Sequence, residues 1–289
     1  MIHSFLQMMT IFQAIIIEAL PFVIFGCIVS SLLHFLISPE KIKKIIPSNK
    51  IVAILLGSLS GMCFPSCECG IIPIIRELLE KEIPDYVSIP FMLTAPIINP
   101  VVMFSTYVAF GNSFYFPILR AVGCISVAFV VGIWLAYFNK YPVLKDNKDE
   151  VLHCHGNKGK RFVWNFTEHA INEFFLTSKY LIIGSLMASF MQVYIPTSFM
   201  LAINKYQVVS ILMMMLLAFM LSLCSEADAF VGSSLLSIFG RGPVVAFLLI
   251  GPMVDIKNLL MMKNNLEGKF YIRLVVLIIL CVSVYSCFI

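Results

Sequence analysis

Long apolar runs with almost no charge decide what this chain can fold into. Residues 11–37 are interrupted only by Glu18, Pro21 and His34, and comparable runs cover residues 51–64, 86–110, 114–138, 174–195, 206–224, 243–262 and 271–289. A bilayer core of about 30 Å takes roughly 20 helical residues to cross. The pattern therefore predicts an all-α integral membrane protein. Charged residues make up 12% of the 289 and hydrophobic ones 60%, against about a quarter charged in soluble domains, which excludes an ordinary soluble enzyme. No dense basic stripe is present, so no nucleic-acid partner is expected. Cys27, Cys124, Cys281 and Cys287 lie inside apolar runs, where a thiol acts as a small hydrophobe. Size and hydropathy together exclude a secreted disulfide scaffold. The first run lacks a basic leading region and a small-residue cleavage site, so it is read as a retained span.

Two shorter stretches, 66–75 and 227–239, are apolar enough to enter a membrane but marginal for crossing it, and each fits a short span or a re-entrant segment. Charge placement bears on the choice. Lys41, Lys43, Lys44 and Lys50 load one loop, and Lys140, Lys145, Lys148, Lys158, Lys160 and Arg161 another. The positive-inside rule puts both in the cytoplasm. The chain must then cross an even number of times between them, which makes 66–75 a crossing, and by the same parity 227–239. The expectation is about ten segments, with seventeen of the twenty cations at or near the cytoplasm, only Arg120, Lys205 and Arg241 outside, and both termini external.

The sequence also repeats itself weakly. Residues 91–99 (FMLTAPIIN) resemble residues 247–255 (FLLIGPMVD), and residues 26–37 align with 184–195. The halves read as two five-span units, residues 1–138 and 167–289, joined by a cytoplasmic loop at 139–166. Five is odd, so the second unit inserts upside down. Inverted repeats with broken helices meeting near the midplane characterise many secondary transporters.

Three constellations carry candidate chemistry. Helix breakers recur at equivalent places, Pro96 with Asn99 and Pro100, and Gly251 and Pro252 with Asp255. In lipid such breaks persist where protein or a water-filled cavity satisfies the freed backbone groups. Asn99 and Asp255 then serve either a transport path or a capped structural kink, Asp255 lying near the cytoplasmic end with Lys257 to neutralise it. In the second constellation Glu226 and Asp228 stand at the head of the second short segment. Intramembrane carboxylates are functional candidates by default. Glu226 is expected to be desolvated and to exchange a proton, with Ser222, Ala229, Ser233 and Ser237 on its face, or else to cap the following helix, while Asp228 lies nearer the interface as a cap. The third is Cys63, Cys67, Glu68 and Cys69, which suit a soft metal or metalloid, disulfide exchange, or plain packing at a tight turn. His153, Cys154 and His155 are weak metal candidates in the central loop. Arg76/Glu80 and Glu77/Lys81 read as an ordinary solvated helix end. His3, His34 and His169 carry no signal, and no pairing of histidines across spans is expected.

At these residues the chain resembles a known family. Residues 65–73 (PSCECGIIP), 91–100 (FMLTAPIINP), 225–230 (SEADAF) and 251–257 (GPMVDIK) stand in the order found in the bacterial predicted-permease family that includes ArsP-type organoarsenical efflux permeases. The resemblance implies a multi-pass permease of the cytoplasmic membrane, with motif residues falling on Cys67, Cys69, Pro96, Asn99, Glu226, Asp228, Asp255 and Lys257. It does not fix a substrate. The expectation is a non-enzymatic permease working by alternating access on a small molecule or ion, efflux of a thiophilic species such as a trivalent organoarsenical being one form. It needs no cofactor, and a homo-oligomer or an accessory membrane protein is a compatible partner. With no G-x-x-x-x-G-K-[ST] motif, pumping would need an ion gradient or a partner. The alternative is a membrane thiol oxidoreductase or metal-handling accessory protein using Cys67 and Cys69.

Overall fold

The computed structural model describes residues 2–36, 46–64, 67–139, 142–144, 162–194 and 207–289. Among them every regular element is a helix. In order these are α1 (Ile2–Leu36), α2 (Lys50–Ser60), α3 (Glu68–Glu80), α4 (Asp85–Thr94), α5 (Pro100–Ala109), α6 (Tyr115–Tyr137), α7 (Phe162–Tyr194), α8 (Gln207–Leu221), α9 (Ala227–Phe239), α10 (Arg241–Met253), α11 (Ile256–Asn265) and α12 (Gly268–Cys287). Helices satisfy every interior backbone group within one segment, as lipid requires.

Five described stretches are long and apolar enough to cross a membrane: Ser4–Phe35, Tyr115–Tyr137, Phe166–Tyr194, Arg241–Lys263 and Gly268–Cys287. The two marginal segments of the sequence correspond to α3 and α9. Each has 13 residues, about 20 Å at 1.5 Å per residue. Their partners α2 and α8 are also short, at 11 and 15 residues.

The ends of these short helices meet. Ala53 near the start of α2, Ile83 just after α3 and Val87 at the start of α4 form one small apolar cluster. Lys50 donates to the carbonyl of Ala136 at the end of α6 (3.0 Å), and Asn139 approaches Asp85 at 3.5 Å. So α2 leaves from, and α3 returns to, the same end of the bundle. In the second half, the Gln207 side chain at the start of α8 lies beside Gly242, three residues past the end of α9. Each half thus runs in the same order, a long helix, two short helices forming a hairpin, a helix broken in the middle, and a long helix.

Both breaks are capped by the side chain the breaker motif supplies. Asn99 accepts from the Val102 amide at 2.9 Å to start α5, with Pro100 in its first turn, where a missing N–H costs nothing. Asp255 accepts from the Asn258 amide at 2.6 Å to start α11. The core gathers on α10, whose residues from Gly242 to Met253 are all buried. On α1, Gly26 lies against the backbone of Gly70 on α3, where an added Cβ would collide with the Gly70 carbonyl. That close approach puts the hairpin directly on the first helix.

Candidate functional site

The turns of both hairpins and both helix breaks converge in the middle of the bundle. Glu68 opens α3, with Cys67 in extended conformation as its N-cap. Lys257, in the first turn of α11, places its Nζ 3.6 Å from Glu68 Oε1 and 3.6 Å from Asp255 Oδ2. Ser222, held in the left-handed region at φ 48°, donates to Asp255 Oδ2 at 2.6 Å. One ammonium therefore bridges two carboxylates drawn from opposite halves of the chain. Glu68, Asp255 and Lys257 are all buried, and burying a charge is tolerable only when it is paired and hydrogen-bonded. The pairing is incomplete, because Glu68 Oε2 has no hydrogen-bond partner.

Beside this triad is a cavity of about 110 Å³, walled by Glu18, Ala19 and Phe22 of α1, Cys67, Glu68 and Cys69 of the first hairpin, Asn99 of the first break, Cys224, Ser225 and Glu226 of the second hairpin, and Lys257. Three thiols and three carboxylates face one ammonium. The wall is thus net acidic and soft, a donor set suited to a cation or a thiophilic species and unsuited to an anion. The volume holds an ion or a solute of a few heavy atoms, since drug-sized ligands occupy about 300 Å³ or more.

Of the residues singled out in the sequence, Cys67, Glu68, Cys69, Asn99 and Glu226 line this cavity, and Asp255 joins it through Lys257. Of Glu226 and Asp228, the more buried is Asp228. Glu226 is only partly buried and makes no side-chain cap bond to α9. Asp228 is 1% exposed, and its Oδ2 accepts from Arg120 Nη2 at 2.9 Å. Arg120 is wholly buried, with its other terminal nitrogen donating to Thr106 at 2.9 Å. A guanidinium inside an apolar bundle requires such a partner, and the carboxylate was 108 residues away. The small-residue lane through Ser222 and Ala229 does not continue, since Ser237 is exposed.

Two further expectations are corrected. Glu77 and Lys81 are buried, not solvated, since they pack on the end of α1. His34 and His169 do pair across two long helices, their rings stacked at 4.5 Å and 22°. The expected pairing of Asp255 with Lys257 is present, at a buried break. The side chain of Cys63 and the run His153, Cys154 and His155 lie outside the described residues. Reasoning from sequence missed Glu18, Cys224 and Arg120 as partners. The offset between repeats relates Cys224 to Cys67 and was the available signal for that residue, whereas Glu18 and Arg120 carried none beyond being charges in apolar runs.

Comparison with known proteins gives matches over nearly the whole chain. The profile of a family described as a predicted permease matches residues 4–289. The chain is 49% identical over 289 residues to the "Putative two-component membrane permease complex subunit" of Streptococcus mutans, covering 97% of this chain and 96% of that protein. It is 47% identical over 282 residues to the UPF0718 protein YcgR of Bacillus subtilis (strain 168), covering 96% and 95% respectively. No solved structure matches.

Proposed function

The chain belongs to the predicted-permease family, and from that premise we propose that it carries a small cationic or thiophilic solute across the bacterial cytoplasmic membrane by alternating access at the central cavity. The observation that carries this reading is the cavity's composition, three thiols and three carboxylates against one ammonium at the meeting point of two hairpins and two helix breaks. Glu18 and Glu226 supply carboxylate oxygens, the cysteines supply soft donors, and Lys257 holds Glu68 and Asp255 so that the two halves close on the same site. A trivalent organoarsenical fits this donor set. The relative named as a subunit of a two-component permease complex supports a second membrane subunit as partner here.

In this reading the halves are inverted copies, and the hairpins α2/α3 and α8/α9 enter from opposite faces and return without crossing. The crossings are then six: α1, α4 with α5, α6, α7, α10 with α11, and α12. Two re-entrant hairpins replace four short crossings, so the parity imposed by the cytoplasmic lysines is kept. A reporter cysteine at Asn112 in an otherwise unreactive background is expected to react with an impermeant thiol reagent from outside the cell, and one at Ser48 only after permeabilisation. Labelling of the intact cell at Ser48 rather than Asn112 rejects this orientation.

The functional test is solute-resolved flux in proteoliposomes holding the purified chain, with and without its co-expressed partner. Arsenite-class species, soft metal cations and small oxyanions are compared. Flux of a thiophilic or cationic solute is expected to fall at least tenfold in Cys67→Ser and Cys69→Ser, about 1.4 kcal/mol or more of lost interaction. Selective flux of oxyanions, unaffected by either change, would refute the substrate assignment.

A further inference from the structure

A second cluster of chemistry-bearing side chains lies at the end of the bundle where α1 ends, α3 ends and α7 begins, at the opposite end of α3 from the cavity residues. Glu77 on α3 is 3% exposed, and both its oxygens approach His34 Nδ1 on α1, at 3.0 and 3.1 Å. His169 on α7 stacks on His34. One ligand-capable atom from each of the three residues lies within 4.8 Å of the others. We propose that His34, Glu77 and His169 form a three-ligand site for a borderline divalent transition ion, Zn²⁺ fitting best, which clamps the outgoing end of the first hairpin to α1 and α7.

The donor chemistry and the spacing both support this. Two imidazoles and a carboxylate make up one of the recurring zinc ligand sets, with bonds of about 2.0–2.2 Å. Ligand atoms around a tetrahedral ion with such bonds stand about 3.3 Å apart. The His34 to Glu77 contact needs only a few tenths of an ångström to admit the ion, and the His169 ring, stacked on His34, turns about its side-chain bonds to bring its nitrogen onto it. The surroundings already hold the ligands. Ser31 Oγ lies 3.0 Å from His169 Nδ1, which leaves Nε2 to coordinate, and partners of this kind fix a ligand's ring orientation. Lys81 Nζ stands 3.6 Å from Glu77 Oε1 and also donates to the backbone carbonyls of Leu33 and His34. An incoming cation displaces it from the carboxylate and leaves it on those carbonyls. His34, with its side chain 43% exposed, gives the ion a way in and leaves a fourth coordination position for water. Glu68 begins the helix that Glu77 helps to end, so an ion here fixes the far end of the element that reaches the cavity.

The test is metal binding by the purified full chain in nanodiscs after stripping with a chelator, read as Zn²⁺ stoichiometry and as the absorption of Co²⁺ used in its place. The expected result is one bound ion per chain with the visible bands of a tetrahedral nitrogen and oxygen site. It is lost in His34→Ala and His169→Ala, retained when His153, Cys154 and His155 are all changed to Ala, and weakened about tenfold in Ser31→Ala. Because Ser31 is not a ligand, that last variant tests the site even where the His variants do not fold. Full Zn²⁺ binding in folded His34→Ala and His169→Ala overturns the proposal, as does a Co²⁺ spectrum dominated by thiolate charge transfer. The readout is binding and not flux, so its failure leaves the transport reading untouched.

Discussion

Replacing Arg120 by Leu is expected to destabilise the folded chain by about 3–5 kcal/mol, the range found when one member of a buried ion pair is removed. Arg120 is 0% exposed and Asp228 1%, and their 2.9 Å contact joins α6 to α9. Loss of the guanidinium leaves the Asp228 carboxylate with an oxygen, Oδ1, that already lacks a hydrogen bond in the intact protein. It also removes the donor to Thr106, which ties α5 into the same knot. The cost comes mainly from the stranded charge, so taking away both charges should restore most of it. Arg120→Leu combined with Asp228→Leu is expected to unfold within about 1 kcal/mol of the native chain, since buried pairs are often replaceable by apolar residues. Reversible unfolding in mixed micelles measures all three. A double variant no more stable than the single one would show that the pair acts through packing and not through charge.

The second large effect is expected at Lys257. Lys257→Met removes the one cation among Glu68, Asp255 and the other cavity carboxylates. Flux is expected to drop by about a hundredfold, equivalent to about 2.7 kcal/mol, and thermal stability to fall with it. Asp255 keeps its bonds from Ser222 and the Asn258 amide, so α11 still starts correctly. The stranded group is Glu68, whose Oε2 is already unpartnered. Lys257→Met with Glu68→Gln should therefore regain part of the stability, because the one carboxylate left without a cation, Asp255, still accepts hydrogen bonds from Ser222 and the Asn258 amide, while flux stays low, because the bridge between the halves is gone. Wild-type flux in that double variant would reduce the Lys257 bridge to scaffolding and remove it from the transport site.

The sequence by itself determined the lipid solvent, the long helices and the places where helices stop. Apolar runs define the first two through the thickness of the bilayer. Asn99–Pro100 and Asp255 define the breaks, because a proline without an N–H and a side chain that caps an amide act within one turn. Their local chemistry was visible without a fold. The tertiary structure alone decided which faces pack and which charges pair. On α12, Leu274, Ile278 and Val282 are buried while Ile272, Val276, Leu280 and Val284 face outward, yet both rows are aliphatic. A helix whose surroundings are apolar on every side carries no polar stripe to mark its buried face. The same holds for charge. Arg120 with Asp228, Glu68 with Lys257, and His34 with Glu77 join residues 108, 189 and 43 positions apart. In a medium that cannot solvate an isolated ion, each charge must find whichever partner the packing brings near, and no local spacing records that choice.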